Sequence, residues 1–417
     1  MRFILVAHGL INQTGHHYME ARAFKEEAAR RGLDCLILAH RHIEPEIRAE
    51  LDAYPLFEYT PYKKSPVQLR FLGPLLHFRS CSRSLGRKLL ELPPETIKAD
   101  DLLVSPLTKA AEMSGLAQWL AHRPREQRPF LAINFMIDDI SRPLPRAGKS
   151  SLNYNAAVFY LFAFHHLRKH LAPQRLLLSA GGSAFARAMS RVLSHPVQVF
   201  PLPVQHELAG VDAAPPTPGT PPLIVFLGHM QPRKGSDLAG AVVRRVLDQH
   251  PACQFLLQAN PAGWESHWLD QLGPDDRDRV RIHRGELTQV EYQEVMSRAA
   301  LVLLPYRPAG HFLQTSGVFS EAMAMGKVSI IPEGTWMADM ARRYGGGAVV
   351  FRQHNVEAVA AAVLAALENL PELTRDMAKI SSVWRETMGM KAFVRCILDA
   401  GTAGGLQPDA STPKHTP

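Results

Sequence analysis

The sequence predicts an α/β protein built from two doubly wound parallel sheets, and three observations carry that expectation. The chain has 417 residues, too many for one ordinary core and enough for two domains. Short apolar runs alternate with amphipathic stretches along most of its length, as parallel strands joined by crossover helices do. The series breaks at VDAAPPTPGTPP, residues 211–222, with proline at 215, 216, 218, 221 and 222. Proline at that density neither continues a helix nor sits in a central strand. Residues 206–222 therefore read as a semi-rigid linker between domains expected over 1–205 and 223–400.

Phe3–Ala7 reads as a buried strand, Gly15–Arg31 as an amphipathic helix and Leu33–Ala39 as a returning strand, an opening βαβ unit. Apolar runs at Leu102–Ser105, Phe130–Ile137, Arg175–Ala180 and Val197–Leu202 continue this sheet, with helical patterns over Leu107–His122 and Asn155–His170. Beyond the linker come a strand at Leu223–Leu227, a helix at Asp237–His250, strands at Gln254–Gln258 and Val280–His283, and a helix near Glu291–Ala300. The strand Leu301–Pro305, a helix from Ser320, and strands Val328–Ile331 and Ala348–Phe351 follow. Helical patterns over Val356–Glu368 and from Leu373 towards Leu398 end the series, the last being a candidate to pack back on the first domain. Residues 401–417 are small, polar and proline-containing, and read as a disordered tail. The space between two such sheets is the default ligand site.

Hydrophobic residues at 46% and charged residues at 21% describe an ordinary globular chain. Cys35, Cys81, Cys253 and Cys396 are scattered and read as reduced thiols of a cytoplasmic protein. The apolar run at the start is too short for a secretory core, and no stretch approaches the roughly 20 apolar residues of a membrane span. Residues 1–205 hold 27 Lys and Arg against 17 Asp and Glu, whereas residues 206–417 hold 20 against 22. The basic half favours acidic partners.

Two motifs carry chemistry. In LLPYRPAGHFLQTSGVFSEAMAMG, residues 303–326, a strand end leads through Gln314, Thr315, Ser316 and Gly317 into a helix with Glu321 in its expected first turn. Such a turn presents backbone N–H groups and a helix dipole to an anion, with the acid just beyond to accept hydrogen bonds from a sugar. Upstream, Gly228-His229-Met230-Gln231-Pro232-Arg233-Lys234-Gly235 forms a basic, glycine-containing turn. Together they suggest a site for a sugar diphosphate. Taken singly, Arg233 and Lys234 also fit a solvated turn, Glu321 a dipole-complementing acid, and Gly317 a tight backbone turn.

In the order IVFLGHMQPRKG (224–235), VRIHRGELTQVEYQEVMSRAALVLLPY (280–306), SGVFSEAMAMGKVSII (316–331) and GTWMADMARRYGGGAVV (334–350), the chain resembles the GT-B-fold retaining glycosyltransferases that use nucleotide sugars. That large family, glycosyltransferase family 4-like, includes sucrose synthases and phosphatidylinositol mannosyltransferases. The resemblance implies two Rossmann-like domains facing a central cleft, with the donor in the C-terminal one. It implies that Lys234 and Arg233 contact the diphosphate with the amides of Ser316, Gly317 and Val318, and that Glu321 bonds the nucleotide ribose. It implies that Gly228 and Gln314 also line the donor site, that Glu286 and Leu287 lie in the loop bordering the base, and that no metal or other cofactor is needed besides the nucleotide sugar as co-substrate. Two positions depart from the pattern. The family's first Glu, eight positions before the second, is Leu313 here, with Gln314, His311 and Tyr306 as candidate replacements. An Arg frequent after the strand-end Gly is His229, which leaves Arg233 to clamp phosphate.

On the acceptor side, Gly15 and His16 stand where related enzymes place a glycine-containing loop, although an ordinary helix start accounts for them too. Asp138, with Asp139, follows a strand at the edge where ligands collect, and is read as a helix-capping acid before an acceptor-orienting one. His16-His17 and His165-His166 are adjacent pairs that point apart, and no HExxH or Cys/His cluster appears, so a metal site is not expected. Residues 61–90 hold Lys63, Lys64, Arg70, Arg79, Arg83, Arg87 and Lys88 with no acid. Apolar residues interleave, which makes an anionic membrane surface a candidate partner and the inner face of the cell membrane a candidate location; a solvated basic helix face is the plainer reading.

The leading expectation is therefore a retaining glycosyltransferase that moves a sugar from a nucleotide-diphosphate sugar to a glycan or lipid-linked acceptor, in surface polysaccharide or glycoconjugate biosynthesis. A nucleotide-sugar epimerase or inverting transferase of the same fold, and a catalytically weak sugar-nucleotide-binding partner protein, are the alternatives. No GxGxxG follows Phe3–Ala7, which argues against a nicotinamide dehydrogenase, and nucleic-acid binding rests on charge alone.

Overall fold

The computed structural model of the chain describes residues 1–13, 16–59, 73–136, 140, 156–203, 220–259 and 272–403. They form two compact units, one of residues 1–205 with 388–417 and one of residues 206–387.

The first unit is a seven-stranded parallel sheet of order β3-β2-β1-β4-β5-β6-β7. Its strands are β1 (Phe3–Ala7), β2 (Cys35–His40), β3 (Ala53–Phe57), β4 (Leu102–Ser105), β5 (Phe130–Phe135), β6 (Leu176–Ala180) and β7 (Gln198–Val199). Helices α1 (His16–Arg30), α2 (Pro45–Leu51), α3 (Gly73–Leu90), α4 (Ala110–Ala121), α5 (Ala157–His170) and α6 (Ser183–Leu193) alternate with them. Every residue of β1, β4, β5 and β6 is buried, which is why these strands read as unbroken apolar runs rather than alternating ones. β3 was not legible because Pro55 interrupts its pattern; proline is tolerated there because β3 lies at the sheet edge.

The second unit is a six-stranded parallel sheet of order β10-β9-β8-β11-β12-β13. Its elements are β8 (Leu223–Phe226), α7 (Ser236–Gln249), β9 (Gln254–Ala259), the single turn α8 (Pro274–Arg277), β10 (Val280–Arg284), α9 (Gln289–Arg298), β11 (Leu301–Leu303) and the single turn α10 (Pro308–His311). They continue with α11 (Gly317–Ala324), β12 (Val328–Pro332), α12 (Trp336–Arg343), β13 (Ala348–Phe351), α13 (Val356–Glu368) and α14 (Leu370–Thr387). The apolar pattern from Leu373 towards Leu398 is two helices rather than one. Gly389 breaks it with φ +92°, a conformation that glycine adopts without steric cost. The following α15 (Met390–Ala403) belongs to the first unit, where Met390, Phe393, Val394 and Ile397 join the core of β1 and α1 and Phe393 meets Phe200 edge-on at 6.1 Å. Helix therefore continues to residue 403, past the expected start of the tail. Most of the expected linker lies outside the described residues, as do residues 404–417. All four cysteines are free. Among the described residues no helix is long and apolar enough to cross a membrane.

Candidate active site

In the second sheet β8 and β11 are neighbours, yet the chain leaves β8 towards β9 and β11 towards β12. Strand order reverses at that pair, and ligands of open α/β sheets collect outside the carboxyl ends of such strands. The two segments that follow them, 227–235 and 304–316, are the segments of the two motifs.

Backbone contacts that only glycine permits hold the first segment. Gly228 has φ +99°, and its N–H donates to Gln258 Oε1 at 2.8 Å, while Gln258 Nε2 donates to the Gly285 carbonyl at 3.0 Å. One side-chain amide at the end of β9 thus ties the turn after β8 to the turn after β10. Residues Pro232–Lys234 make a single tight turn that ends at Gly235, φ +82°. A Cβ on Gly235 would lie 2.0 Å from the Pro305 carbonyl oxygen, so the two segments approach as closely as backbone allows. Arg307 staples them further. Its N–H donates to the Arg233 carbonyl at 2.8 Å, its Nε to the Pro232 carbonyl at 3.0 Å, and its guanidinium pairs with Asp237.

This packing turns Lys234 inward. Its amino group sits 5.5 Å from the centroid of the Tyr306 ring and 3.2 Å from the point a Cβ on Gly228 would occupy; Val318 Cγ2 is 3.7 Å from the same point. Burial, and then the Arg233 charge, push the Lys234 ammonium down to about 8. Tyr306 is 2% exposed; burial pushes its phenol up to about 12, against the hydrogen-bonded Ser316 hydroxyl and the Arg233 charge, both of which pull it down.

Helix α11 is anchored from behind. Ser316 caps it, its Oγ accepting from the Phe319 N–H at 3.3 Å. Phe319 is fully buried edge-on between Trp336 at 5.9 Å and Trp384 at 6.0 Å, and burying such a side chain contributes roughly 1.5–3 kcal/mol. At the other end Arg385 donates to the Ala324 carbonyl at 2.8 Å, a cation where the dipole favours one. The first amides of the helix, on Gly317 and Val318, have no carbonyl within the helix to bond, and the Val318 side chain lies beside the Gly228 turn.

Glu321 lies in the second turn of α11, not the first as the sequence suggested, because the helix opens at Gly317 rather than Ser320. At that depth it does not complement the dipole directly. It accepts a hydrogen bond from the Tyr292 hydroxyl on α9. Burial pushes the Glu321 carboxyl up to about 7, with the Tyr292 bond acting against it, and burial with the nearby Glu321 raises the Tyr292 phenol well above its ordinary value.

The other expected residues are placed unevenly. Glu286 is exposed and Leu287 half-buried in the turn after β10. Leu313 is 7% exposed and part of the core. Of its candidate replacements, Tyr306 and His311 are buried against each other at 4.5 Å, and Gln314 alone is half-exposed. His229 is exposed. Gly15, Asp138 and Asp139 lie outside the described residues, and His16 opens α1. In the first unit the carboxyl end of β1 holds buried polar groups, His8 among them. His8 stacks on Tyr59 at 6.0 Å with its Nε2 3.4 Å from Glu112 Oε1, and His8, His17 and Glu20 border a small cavity of about 10 Å³. Among the described residues no group of three or more His, Cys, Asp or Glu is placed to hold a metal ion.

Sequence reasoning missed Tyr292 and Gln258. Each left a faint mark: a tyrosine four residues after the N-cap Thr288, and a glutamine that interrupts the apolar interior of a strand.

Solved structures share this architecture. The chain is similar to a glycosyltransferase from Rickettsia africae with TM-score 0.63 and 9% identity, over 97% of this chain and 98% of that one. It is similar to a trehalose-6-phosphate structure from E. coli bound with UDP-2-fluoro glucose, TM-score 0.68 and 12% identity over 98% and 100%. Anabaena HepE in complex with UDP matches with TM-score 0.60 and 11% identity over 97% and 100%. At such identities the likeness concerns the fold, and the fold is GT-B. Residues 221–369 match the model of the family glycosyl transferases group 1. The fold is that of GT-B glycosyltransferases, and the segment 221–369 carries the family match. None of the curated proteins matches the chain.

Proposed function

We propose that the protein is a retaining glycosyltransferase that transfers a sugar from a nucleotide-diphosphate sugar to a glycan or lipid-linked acceptor, in surface polysaccharide or glycoconjugate biosynthesis. The observation that carries the donor half is the convergence of the Lys234 amino group, the Gly228 turn and the first turn of α11 at the reversal of strand order. An ammonium beside the N-terminus of a helix favours the charge that grows on a departing diphosphate. Arg233 shares that task. Two cationic side chains and a helix dipole supply the neutralisation a metal provides elsewhere, and no further cofactor enters the proposal. Glu321, one turn deeper beside Tyr292, accepts the two hydroxyls of the nucleotide ribose. Glu286 and Leu287 border the base, and Gln314, which keeps solvent access, takes the place of the acid absent at 313.

In the proposed reaction the bond from the sugar anomeric carbon to the diphosphate oxygen breaks, and a bond to the acceptor hydroxyl oxygen forms on the same face. The acceptor proton passes to the departing diphosphate, so the enzyme supplies position and charge rather than a base. Gly15, His16 and Asp138 are the proposed acceptor-side residues. The proposed setting is cytoplasmic, with residues 61–90 meeting the anionic inner face of the cell membrane, where a lipid-linked acceptor would be presented.

Thermal melting with UDP, GDP and their sugars tests the donor reading, since a ligand of the folded state raises apparent stability; no shift with any of them would refute it. The anomeric configuration of the product separates retaining from inverting transfer. The burial of Leu313 favours a second reading, a catalytically weak sugar-nucleotide-binding partner. Donor hydrolysis or transfer by the purified protein rules that reading out; nucleotide binding without turnover supports it.

A further inference from the structure

In the first unit α4 packs against both α3 and α5. The backbones of α3 and α4 meet at two glycines: a Cβ on Gly86 would lie 3.0 Å from the Gly115 carbonyl, and a Cβ on Gly115 2.8 Å from that of Ser82. Over this close approach lies an open groove of about 870 Å³. Arg79, Arg83 and Arg87 line it from successive turns of α3, with His122 from α4 and His166 from α5, and no acidic residue lines it.

An ordinary solvated helix face interleaves its arginines with acids, as α1 does, where Arg22 pairs with Glu26 and Arg30 with Glu27. Arg79, Arg83 and Arg87 form no ion pair among the described residues. Lys88, on the neighbouring face, is different: Glu58 and Glu91 neutralise it at 2.9 and 2.8 Å. Beside the arginines lies apolar surface. Val158, Leu161 and Phe162 at the start of α5 are 61%, 50% and 60% exposed, and Leu75 and Leu76 at the start of α3 are 44% and 41% exposed. The two helix starts touch, since Phe78 of α3 stacks on Phe159 of α5 at 5.0 Å and meets Phe162 at 6.2 Å. Exposed large apolar side chains next to an uncompensated row of arginines match a lipid interface, with anionic headgroups outside and acyl chains beneath.

We propose that this face, α3 with α4 and α5, docks on an anionic phospholipid surface, Arg79, Arg83 and Arg87 seating lipid phosphates in the groove while Val158, Leu161 and Phe162 enter below the headgroups. It rests on the membrane part of the reading above, not on the donor chemistry, and narrows the contact within residues 61–90 to α3 while extending it to α4 and α5. A nucleic acid or another polyanion would use the arginines and ignore the apolar residues.

Co-sedimentation of the full chain with phosphatidylcholine vesicles, with and without phosphatidylserine, tests the proposal. Wild type is expected to bind only the anionic vesicles, and less at high salt. Arg79→Glu/Arg83→Glu/Arg87→Glu should lower partition on the order of 100-fold, and Val158→Ser/Leu161→Ser/Phe162→Ser at least roughly tenfold, each with an unchanged melting transition. A third variant, Lys63→Glu/Lys64→Glu/Arg70→Glu, separates the groove from the basic residues that precede α3 in the sequence. Loss of binding in this variant alone would overturn the groove proposal while leaving a membrane contact elsewhere in 61–90. Wild-type binding by the arginine variant, wild-type binding by the apolar variant, or equal binding of wild type to both vesicle types would each overturn it as well. Stabilisation of the same proteins by UDP or GDP reads the donor unit separately, so its failure counts against the glycosyltransferase reading and not against docking.

Discussion

The Tyr292 hydroxyl donates a hydrogen bond to Glu321 across two helices that the sequence separates by a whole strand and loop. The bond keeps a buried carboxyl at about 7 rather than higher. Glu321 is therefore poised to gain or lose its charge near neutral pH, as groups at functional sites often are.

Replacing Glu321 with Gln should trade function against stability. The folded carboxyl titrates at about 7 and the unfolded one near its ordinary value of 4.5, so the folded state holds the proton more tightly. The wild type loses stability as pH rises between those values and keeps that penalty above 7. Glu321→Gln should thus melt like wild type near pH 4 and be more stable at pH 8 by on the order of 1–3 kcal/mol. Its affinity for a nucleoside diphosphate should fall, because charge-assisted bonds are about twice as strong as neutral ones. Melting curves at the two pH values and calorimetry at pH 8 check both signs.

Tyr292→Phe should move the same titration upwards. Without the hydroxyl the carboxyl loses a bond that favours its charged form. The rising, acid limb of the nucleotide-affinity profile should then lie at higher pH than in wild type, while the fall through about 8 set by Lys234 stays where it is. Coincident pH profiles would mean that the bond has no part in binding.

Lys234→Ala should lower kcat/KM by a factor corresponding to about 2–4 kcal/mol of transition-state stabilisation, with the fold intact. Its ammonium titrates at about 8, so affinity of the wild type for a nucleoside diphosphate should also decline as pH rises through that value. The alanine variant should lack that decline. Unaltered turnover together with unaltered affinity would contradict the assignment of Lys234 to the diphosphate.

Gly235→Ala should destabilise by at least about 2 kcal/mol, since an L side chain is strained at φ +82° and its Cβ would strike the Pro305 carbonyl. Gly317→Ala serves as the control, because a Cβ there meets nothing within 4 Å. Urea unfolding of the two variants should separate them clearly.

Glu112→Gln should weaken the first unit by roughly 1–3 kcal/mol at pH 7. Burial raises the Glu112 carboxyl, but His8 and its other partners outweigh it, and the net shift is downwards. A carboxyl lowered by folding adds stability above its unfolded value of 4.5 and loses it on acidification. The difference between wild type and variant should therefore shrink as pH falls below that value; a constant difference would remove the ion pair as its cause.

How much of this was legible in the residues varies by element. The buried strands of both sheets, the long amphipathic helices and the two donor motifs were readable because periodicity, glycine and proline act over a few neighbouring positions. β3 hid behind Pro55, whose tolerance depends on being at an edge. Lys88 counted as one more free cation until folding brought Glu58 to it. His8 and Glu112, 104 positions apart, became a pair only when β1 and β4 aligned.

The sequence by itself determined the class of the fold, the order of its elements and the residue types available to an anion. Tertiary structure alone decided which of them meet. Lys234 faces Tyr306 and Gly228 because β8 and β11 are neighbours, Gln258 bridges two turns because β9 and β10 follow on the same side, and Glu321 finds Tyr292 because α9 and α11 pack near one another. The reason is physical: turn and helix preferences are local energies written residue by residue, whereas these contacts arise from burying whole sheet faces, which places side chains together without regard to their separation along the chain.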